Sequence, residues 1–385
     1  MLNHPKWKRL IVIFSCVFCM TGCVQSKQLE KLGLITAVGY DLEQANTIKG
    51  SVVIHKFDPL AESVTKVITA ESNTSKAIMQ KQNLETDQKL VSGQLRCAIY
   101  SKDLAKKGIN QLVDSLNRDP AIGNMVYLTV ADDKASEIMQ IDMDKLKVNL
   151  GTYLYNVIQQ NVESEQLISP TLHEFNHKFS DRGQDPVLPI LKIKKDNVII
   201  TGVALFQDDR YIDELESEKL FYLKILLDNY RSGTHEMGFK REKFNKIIKH
   251  KEGMDDKKVY NKMFINIDNI RSHAKIKLVD KEKLHFKVDV NLESRLLEAT
   301  EAIDLSTPDN MKFIQKEIGK ELEREIKNLI LRFQKKQVDP IGFGNEYFTQ
   351  FRGKPPTAKE WREKYKDATF EIKVNNKIVK TGAIE

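Results

Sequence analysis

Residues 334–344 read Gln334-Lys335-Lys336-Gln337-Val338-Asp339-Pro340-Ile341-Gly342-Phe343-Gly344, and they close the longest helical pattern in the chain. Upstream, Thr307-Pro308 offers an N-cap followed by proline at the first helical position, where a missing N–H has no intrahelical partner to lose. Ile314, Ile318, Leu322, Ile326, Leu329, Ile330 and Phe333 then recur at three- and four-residue spacing, which places them on one stripe. The pattern predicts a helix of about 28 residues, roughly 42 Å long. Its stripe needs a partner, either a second helix in a coiled coil or a sheet of the same chain; the neighbouring strand patterns favour the sheet. Past the helix, Asp339 before Pro340 initiates a turn through its own side chain. Gly342 and Gly344 suit a tight turn that needs positive φ or close backbone approach, and Phe343 between them is expected to pack inward.

Working back from this helix, residues 263–290 hold two long strand candidates, with alternation such as Ile276, Leu278 and then Leu284, Phe286, Val288, Val290. Residues 240–262 are dense in charge and read as a linker or exposed helix. Before them lie a helix over residues 214–230, with Leu215, Leu220, Leu223, Leu226 and Leu227 near one face, a break at Gly233, and a strand over residues 198–206. Asp185-Pro186-Val187-Leu188-Pro189 leads into that strand. Further back, strand and helix patterns alternate. Residues 34–41 and 48–57 read as an antiparallel pair with Asn46 in the turn, then residues 64–70 as strand, 73–84 as helix and 89–100 as strand. Residues 101–116 read as a helix capped by Ser101, residues 125–130 as strand, and residues 134–139 and 145–161 as helix. The class is therefore α+β: a multidomain mixed α/β chain with mainly antiparallel sheets and a long C-terminal helix. No repeat or low-complexity tract interrupts it.

The N-terminus has a different character. Lys6, Lys8 and Arg9 precede a largely apolar run, residues 10–20, and Thr21-Gly22 leads to Cys23. That is the pattern of an export signal, and its end resembles the lipoprotein box Leu-(Ala/Ser/Thr)-(Gly/Ala)-Cys, with Met20 in place of leucine. Eleven helical residues span roughly 16 Å, about half of a ~30 Å hydrocarbon core, too short for a permanent span. The resemblance implies cleavage after residue 22 and a diacylglyceryl group on the Cys23 thiol, two acyl chains being enough for stable anchoring. No other cofactor is implied.

The chain has 385 residues and a net charge of +7; removing the signal with its three basic residues leaves 363 residues at +4. Mixed charge this mild gives no footprint for nucleic acid. With Cys16 and Cys19 in the signal and Cys23 modified, Cys97 is the only remaining thiol, so an internal disulfide is excluded. Cys97 alternates with Leu95 and Ile99 and reads as a buried strand residue.

One enzymatic pattern stands out. Residues 173–177 read His173-Glu174-Phe175-Asn176-His177, which on a helix could hold zinc beside a general base. Its context argues against that role. Leu172, Phe175 and Phe179 form the inward stripe, which turns both histidines towards solvent. No third histidine follows at metzincin spacing. No phosphate loop or nucleophile elbow is present either, so neither a catalytic residue nor a metal site is assigned.

The ordered set of motifs resembles the C subunit family of spore germinant receptors, often called the Ger(x)C lipoproteins. The resemblance runs through the lipobox, Gly39-Tyr40-Asp41, Arg118-Asp119-Pro120, Asp185 to Pro189, the Gly202, Ala204 and Phe206 strand, Gln334, Asp339, Gly342-Phe343-Gly344, Trp361 and a last strand closing at Gly382. It covers nearly the whole mature chain, and departs at Val24 and at Gly93-Gln94, where relatives often carry tryptophan and a Gly-His pair. It implies three domains, with segments 1–22 (signal), 23–195, 196–239 and 240–385, and a strand near residues 197–206 that returns to pair with the first strands. It further implies a non-enzymatic role beside membrane-embedded A and B subunits on the outer surface of the inner spore membrane. Asp41, Arg118, Asp119, Pro120, Gln334, Asp339, Gly342, Gly344 and Trp361 are then structural or interface residues. The rival class is a solute-binding lipoprotein of a transporter, which predicts two similar βαβ lobes around a cleft.

Overall fold

Two β-sheets organise the computed structural model, which describes residues 31–44, 47–55, 65–141, 148–227, 232–249, 261–351 and 356–381. The expected signal, Cys23, Asn46 and Gly382 lie outside these residues. The first sheet runs β3-β2-β1-β5-β6-β7-β8-β9, with the short β4 beside the start of β1. Strands β1 (Leu32–Leu42), β2 (Ile48–His55) and β3 (Thr65–Ser72) form an antiparallel meander. Strands β4 (Lys89–Val91), β5 (Cys97–Ser101), β6 (Tyr127–Ala131) and β7 (Val187–Lys194) follow β1 in parallel, and β8 (Asn197–Gln207) and β9 (Arg210–Glu216) close the sheet antiparallel. The hydrogen-bonded neighbours of β8 are β7 and β9.

Helices cover both faces of this sheet. On one side Ile78 of α1 (Ser75–Asn83), Leu104 of α2 (Lys102–Lys107), Leu112 of α3 (Asn110–Asn117) and Phe175 of α6 (Leu172–Ser180) join a core with Val52, Ile54 and Tyr100. On the other, Ile138 of α4 (Ala135–Met139), Leu154 of α5 (Leu150–Glu163) and Leu223 of α7 (Ser217–Leu227) pack over Ala37, Cys97 and Ile99.

The second sheet runs β10 (Thr234–Lys240), β11 (Lys262–Asp280), β12 (His285–Ala299) and β13 (Thr369–Thr381), antiparallel except for the β12–β13 pair. Helix α8 (Pro308–Lys336) lies on one face. Thr307 Oγ1 caps it by accepting from Asn310 N at 3.2 Å, and the expected stripe from Ile314 to Phe333 is buried throughout. Its side chains also reach past the sheet edge, Glu323 accepting from Val374 N at 2.9 Å and Gln315 from Ile378 N at 3.3 Å. Helix α7 touches β8 of the first sheet as well as β11 and α8 of the second, and so ties the two layers together. The architecture is mixed α+β, with two sheets paired mostly antiparallel by length of register and a long C-terminal helix. The sheets differ in strand number and connectivity, which is not the pair of similar lobes that a solute-binding architecture predicts.

Four local expectations are corrected. Residues 89–100 form two strands because Ser92-Gly93 makes a turn, with Leu95 N bonding Ser92 O at 3.0 Å. The helix capped by Ser101 divides at Gly108, which has φ +124°. Leu215 belongs to β9, and α7 begins at Ser217. Within the charged segment 240–262, residues 241–249 pack down rather than standing off, because Phe244, Ile247 and Ile248 are buried and Arg241 pairs with Glu301. Strand β10 has no counterpart in the sequence reading; only Met237 and Phe239 mark its inner face.

Candidate functional site

The turn after α8 is built around one carboxylate. Gln337 leaves the helix in the left-handed region at φ +57°, and the chain then dives so that Asp339 is 3% exposed. Asp339 Oδ1 accepts from Gly342 N at 2.8 Å and Phe343 N at 3.1 Å; Oδ2 accepts from Gly344 N at 2.8 Å and from the Trp361 indole N–H at 3.1 Å. Gly342, at φ +89°, supplies the backbone reversal that turns three successive N–H groups onto one side chain and starts α9 (Phe343–Phe348).

Trp361 sits on α10 (Ala358–Tyr365), which Thr357 and Glu360 open with a reciprocal capping box. Its ring is buried against Tyr347 and Tyr365, both at 5.2 Å between centroids. Phe286, Phe343 and Phe370 extend the aromatic cluster into the second sheet. Gln334 ties α8 to the end of α10, its Nε2 donating to Tyr365 O at 2.8 Å and Ala368 O at 2.7 Å.

This turn docks onto the first sheet through a second buried carboxylate, Asp185. Asp339 N donates to Asp185 Oδ2 at 2.8 Å, Asp185 N returns a bond to Asp339 O at 2.9 Å, and Asp208 N donates to Asp185 Oδ1 at 3.2 Å. Arg362 bridges Asp185 at 3.0 Å and Asp208 at 2.6 Å. Gln184 bonds Pro340 O at 2.8 Å, and Gln207 bonds Gln337 O at 3.0 Å. The backbones also touch. A Cβ on Gly344 would meet Gly183 Cα at 2.6 Å, and one on Gly183 would meet Asn345 N at 2.4 Å.

Burial is the dominant electrostatic influence at this junction. It pushes the Asp339 carboxyl up to about 7, with the neighbouring Asp185 charge adding to the rise and the N–H donors of Gly344, Gly342 and Phe343 opposing it. Burial likewise raises Asp185, against the pull of Arg362. Every oxygen of Asp339 is already taken by an N–H donor. The arrangement joins two sheets.

The other motif residues lie elsewhere. Asp41 is 1% exposed and caps α4 from β1, Oδ1 accepting from Ala135 N at 2.7 Å and Oδ2 from Ser136 N at 2.9 Å. Arg118 is exposed and pairs with Asp114 at 2.7 Å, not with its neighbour Asp119. Asp119 instead holds Lys76 at 2.7 Å at the rim of a cavity of about 40 Å³ between α1 and α3, and burial and the Lys76 ammonium act in opposite senses on its carboxyl, the ammonium first, for a net lowering. Pro120 is exposed beside it. His173 and His177 both face solvent with ring centroids 6.5 Å apart, and among the described residues no cluster of three or more His, Cys, Asp or Glu could hold a metal. Cys97 is fully buried in β5, and burial pushes its thiol up to about 12, away from nucleophilic use.

Sequence reasoning singled out Gln334, Asp339, Gly342, Gly344 and Trp361, and the structure brings them to one place with the Asp185 motif. Arg362, Asp208, Gln184 and Gly183 were missed. Arg362 follows Trp361 directly, but nothing in the sequence pairs it with an aspartate 154 positions away.

Comparison with known proteins bears on the whole chain. Residues 25–193 match the family described as "Spore germination protein N-terminal domain", and residues 201–382 match "Spore germination B3/ GerAC like, C-terminal". Spore germination protein GerQC of Bacillus cereus is 27% identical over 98% of this chain and 100% of its own length. Spore germination protein KC of Bacillus subtilis is 22% identical over 97% and 95%. The crystal structure of the GerBC protein superposes with a TM-score of 0.51 at 14% identity, covering 89% of this chain and 96% of that one, which is a likeness of fold. The two family matches meet between β7 and β8, within the first sheet, and the Asp339–Asp185 junction bonds residues from both. The ordered motifs, the shared fold and the two consecutive matches place this chain in the Ger(x)C family of spore germination proteins.

Proposed function

We propose that the chain is the C subunit of a spore nutrient germinant receptor. In this reading a diacylglyceryl group on Cys23 tethers it to the outer surface of the inner spore membrane, where it assembles with A and B membrane subunits and helps couple nutrient sensing to germination. It contributes contacts rather than chemistry and uses no metal or other cofactor. The observation that carries the proposal is the use made of the family residues. Asp339, Gly342, Gly344 and Trp361 build the turn that docks the second sheet on Asp185 of the first, and Gln334 ties α8 to α10 behind that turn, as a rigid assembly module requires. No helix among the described residues is long and apolar enough to cross a membrane.

The test is deletion of the gene in a strain without redundant receptors, followed by germination assays nutrient by nutrient. Loss of the response to at least one nutrient, restored by the intact chain, supports the reading; normal germination with every nutrient overturns it. Strong calorimetric binding of an amino acid, sugar or nucleoside by the chain alone would instead favour the solute-binding class.

A further inference from the structure

We infer that one rim of the first sheet, formed by Lys31, Leu84, Lys89 and Lys66, rests on the membrane and contacts anionic phospholipid headgroups. This deepens the proposal above and rests on its lipidation of Cys23.

The length of chain outside the described residues carries the first step. Cys23 and Lys31 are eight positions apart, so even fully extended the tether reaches about 28 Å. Strand β1 begins at Leu32 and has 11 residues, which makes the sheet about 36 Å long in that direction. The tether is shorter than the sheet. The end that holds Leu32 is therefore kept within about 28 Å of the lipid, whereas the opposite end can stand a strand length farther out.

The strand registers say what occupies that end. Leu32 pairs with Lys89 of β4, Leu34 with His55 of β2, and His55 with Thr65 of β3, next to Lys66. Helix α1 runs down to the same rim, where Asn83 Oδ1 receives Leu90 N at 3.0 Å and Leu84 follows the helix. Leu84 is 88% exposed, more than any other large apolar residue described. Lys31 and Lys89 are exposed and Lys66 is half-buried; the acids Glu85 and Asp87 are exposed on the same loop.

A fully exposed leucine flanked by lysines suits the boundary between headgroups and acyl chains, where the apolar side chain sinks and the ammonium groups reach phosphates. The local excess is one positive charge, so the lysines orient the rim on anionic lipid and the covalent tether supplies the affinity.

The experiment uses the full lipidated chain reconstituted in phosphatidylglycerol–phosphatidylcholine vesicles. Nitroxides are placed by Leu84→Cys and, at the far end of the same sheet in the β7–β8 turn, by Asp196→Cys; Cys97 is fully buried and is left unlabelled. The ratio of oxygen to aqueous nickel accessibility is expected to be at least about threefold higher at position 84 than at 196, as for a site some 5–10 Å into the interface, and to fall towards the value at 196 in the Lys31→Glu, Lys89→Glu background. The mass of the N-terminal peptide is read on the same sample. Equal ratios with the diacylglyceryl mass present overturn this inference and leave the tether intact. Absence of that mass removes the tether and the inference together.

Discussion

The first sheet is buried on both faces, and the second on one. In the first, β5 and β6 have every residue buried, because helices lie above and below them. In the second, β11 and β12 alternate between buried and accessible positions along most of their length, with α8 on the inner side and Lys275, Lys277 and His273 on the outer. The difference teaches where stability is concentrated. The first sheet draws on seven helices spread over two cores, so no single element holds it. The second depends on the stripe of α8, the aromatic cluster around Trp361, and the carboxylate junction that locks both to the first sheet.

The sharpest way to break that contrast is a charge in the stripe. Ile326→Asp puts an unpaired carboxylate at a fully buried position, and should cost about 4 kcal/mol or more. Tryptophan fluorescence in a denaturant titration, reporting the second sheet, is expected to change at much lower denaturant than far-ultraviolet dichroism, which also reports the first. Coincident transitions at an unchanged midpoint would contradict the division.

Asp339→Ala follows, since it leaves four N–H donors without their acceptor; a loss of about 3–5 kcal/mol is expected. The wild-type protein also has a signature in pH. Because burial raises the Asp339 carboxyl to about 7 in the folded chain, the native state holds the extra proton between the ordinary carboxylate range and that value. Stability should therefore fall as pH rises from about 4 to about 7, and flatten above. The slope should shrink in Asp339→Ala; an identical slope in both proteins would assign the effect to other groups.

Asp41→Ala tests the first sheet with a smaller lever. It removes the acceptor of two α4 N–H groups, and should lower stability by about 1–2 kcal/mol without separating the two transitions. Smallest of all is Lys275→Glu on the outer face of β11, exposed in the structure. Its denaturation midpoint should match wild type, and a clear shift would mean that the outer face is not open.

How much of this was legible in the sequence follows from the same contrast. Alternation along β11 and β12 and the spacing in α8 are statements about one covered face, which is the signal that period-based reading detects. Two-sided burial erases that signal. Residues 220–226 of α7 are all buried, so its extent could not be fixed by a stripe, and the run from Lys89 to Tyr100 read as one strand although Ser92-Gly93 splits it. At the junction, the residues that make local bonds were visible: Asp339 acts on residues three to five positions ahead. Its partners across the molecule were not, because Asp185 and Arg362 are 177 positions apart and acquire their meaning from the docking of one sheet on the other.

The last strand has a consequence of its own. A strand at the end of a sheet ordinarily offers outward N–H groups on which another chain can continue the ladder. On β13 the N–H groups of Val374 and Ile378 are taken by Glu323 and Gln315, both reaching from α8. The helix that fills the core thus also stops the ladder at those two positions, and a neighbouring copy of the protein would have to displace helix side chains before it could extend the sheet there.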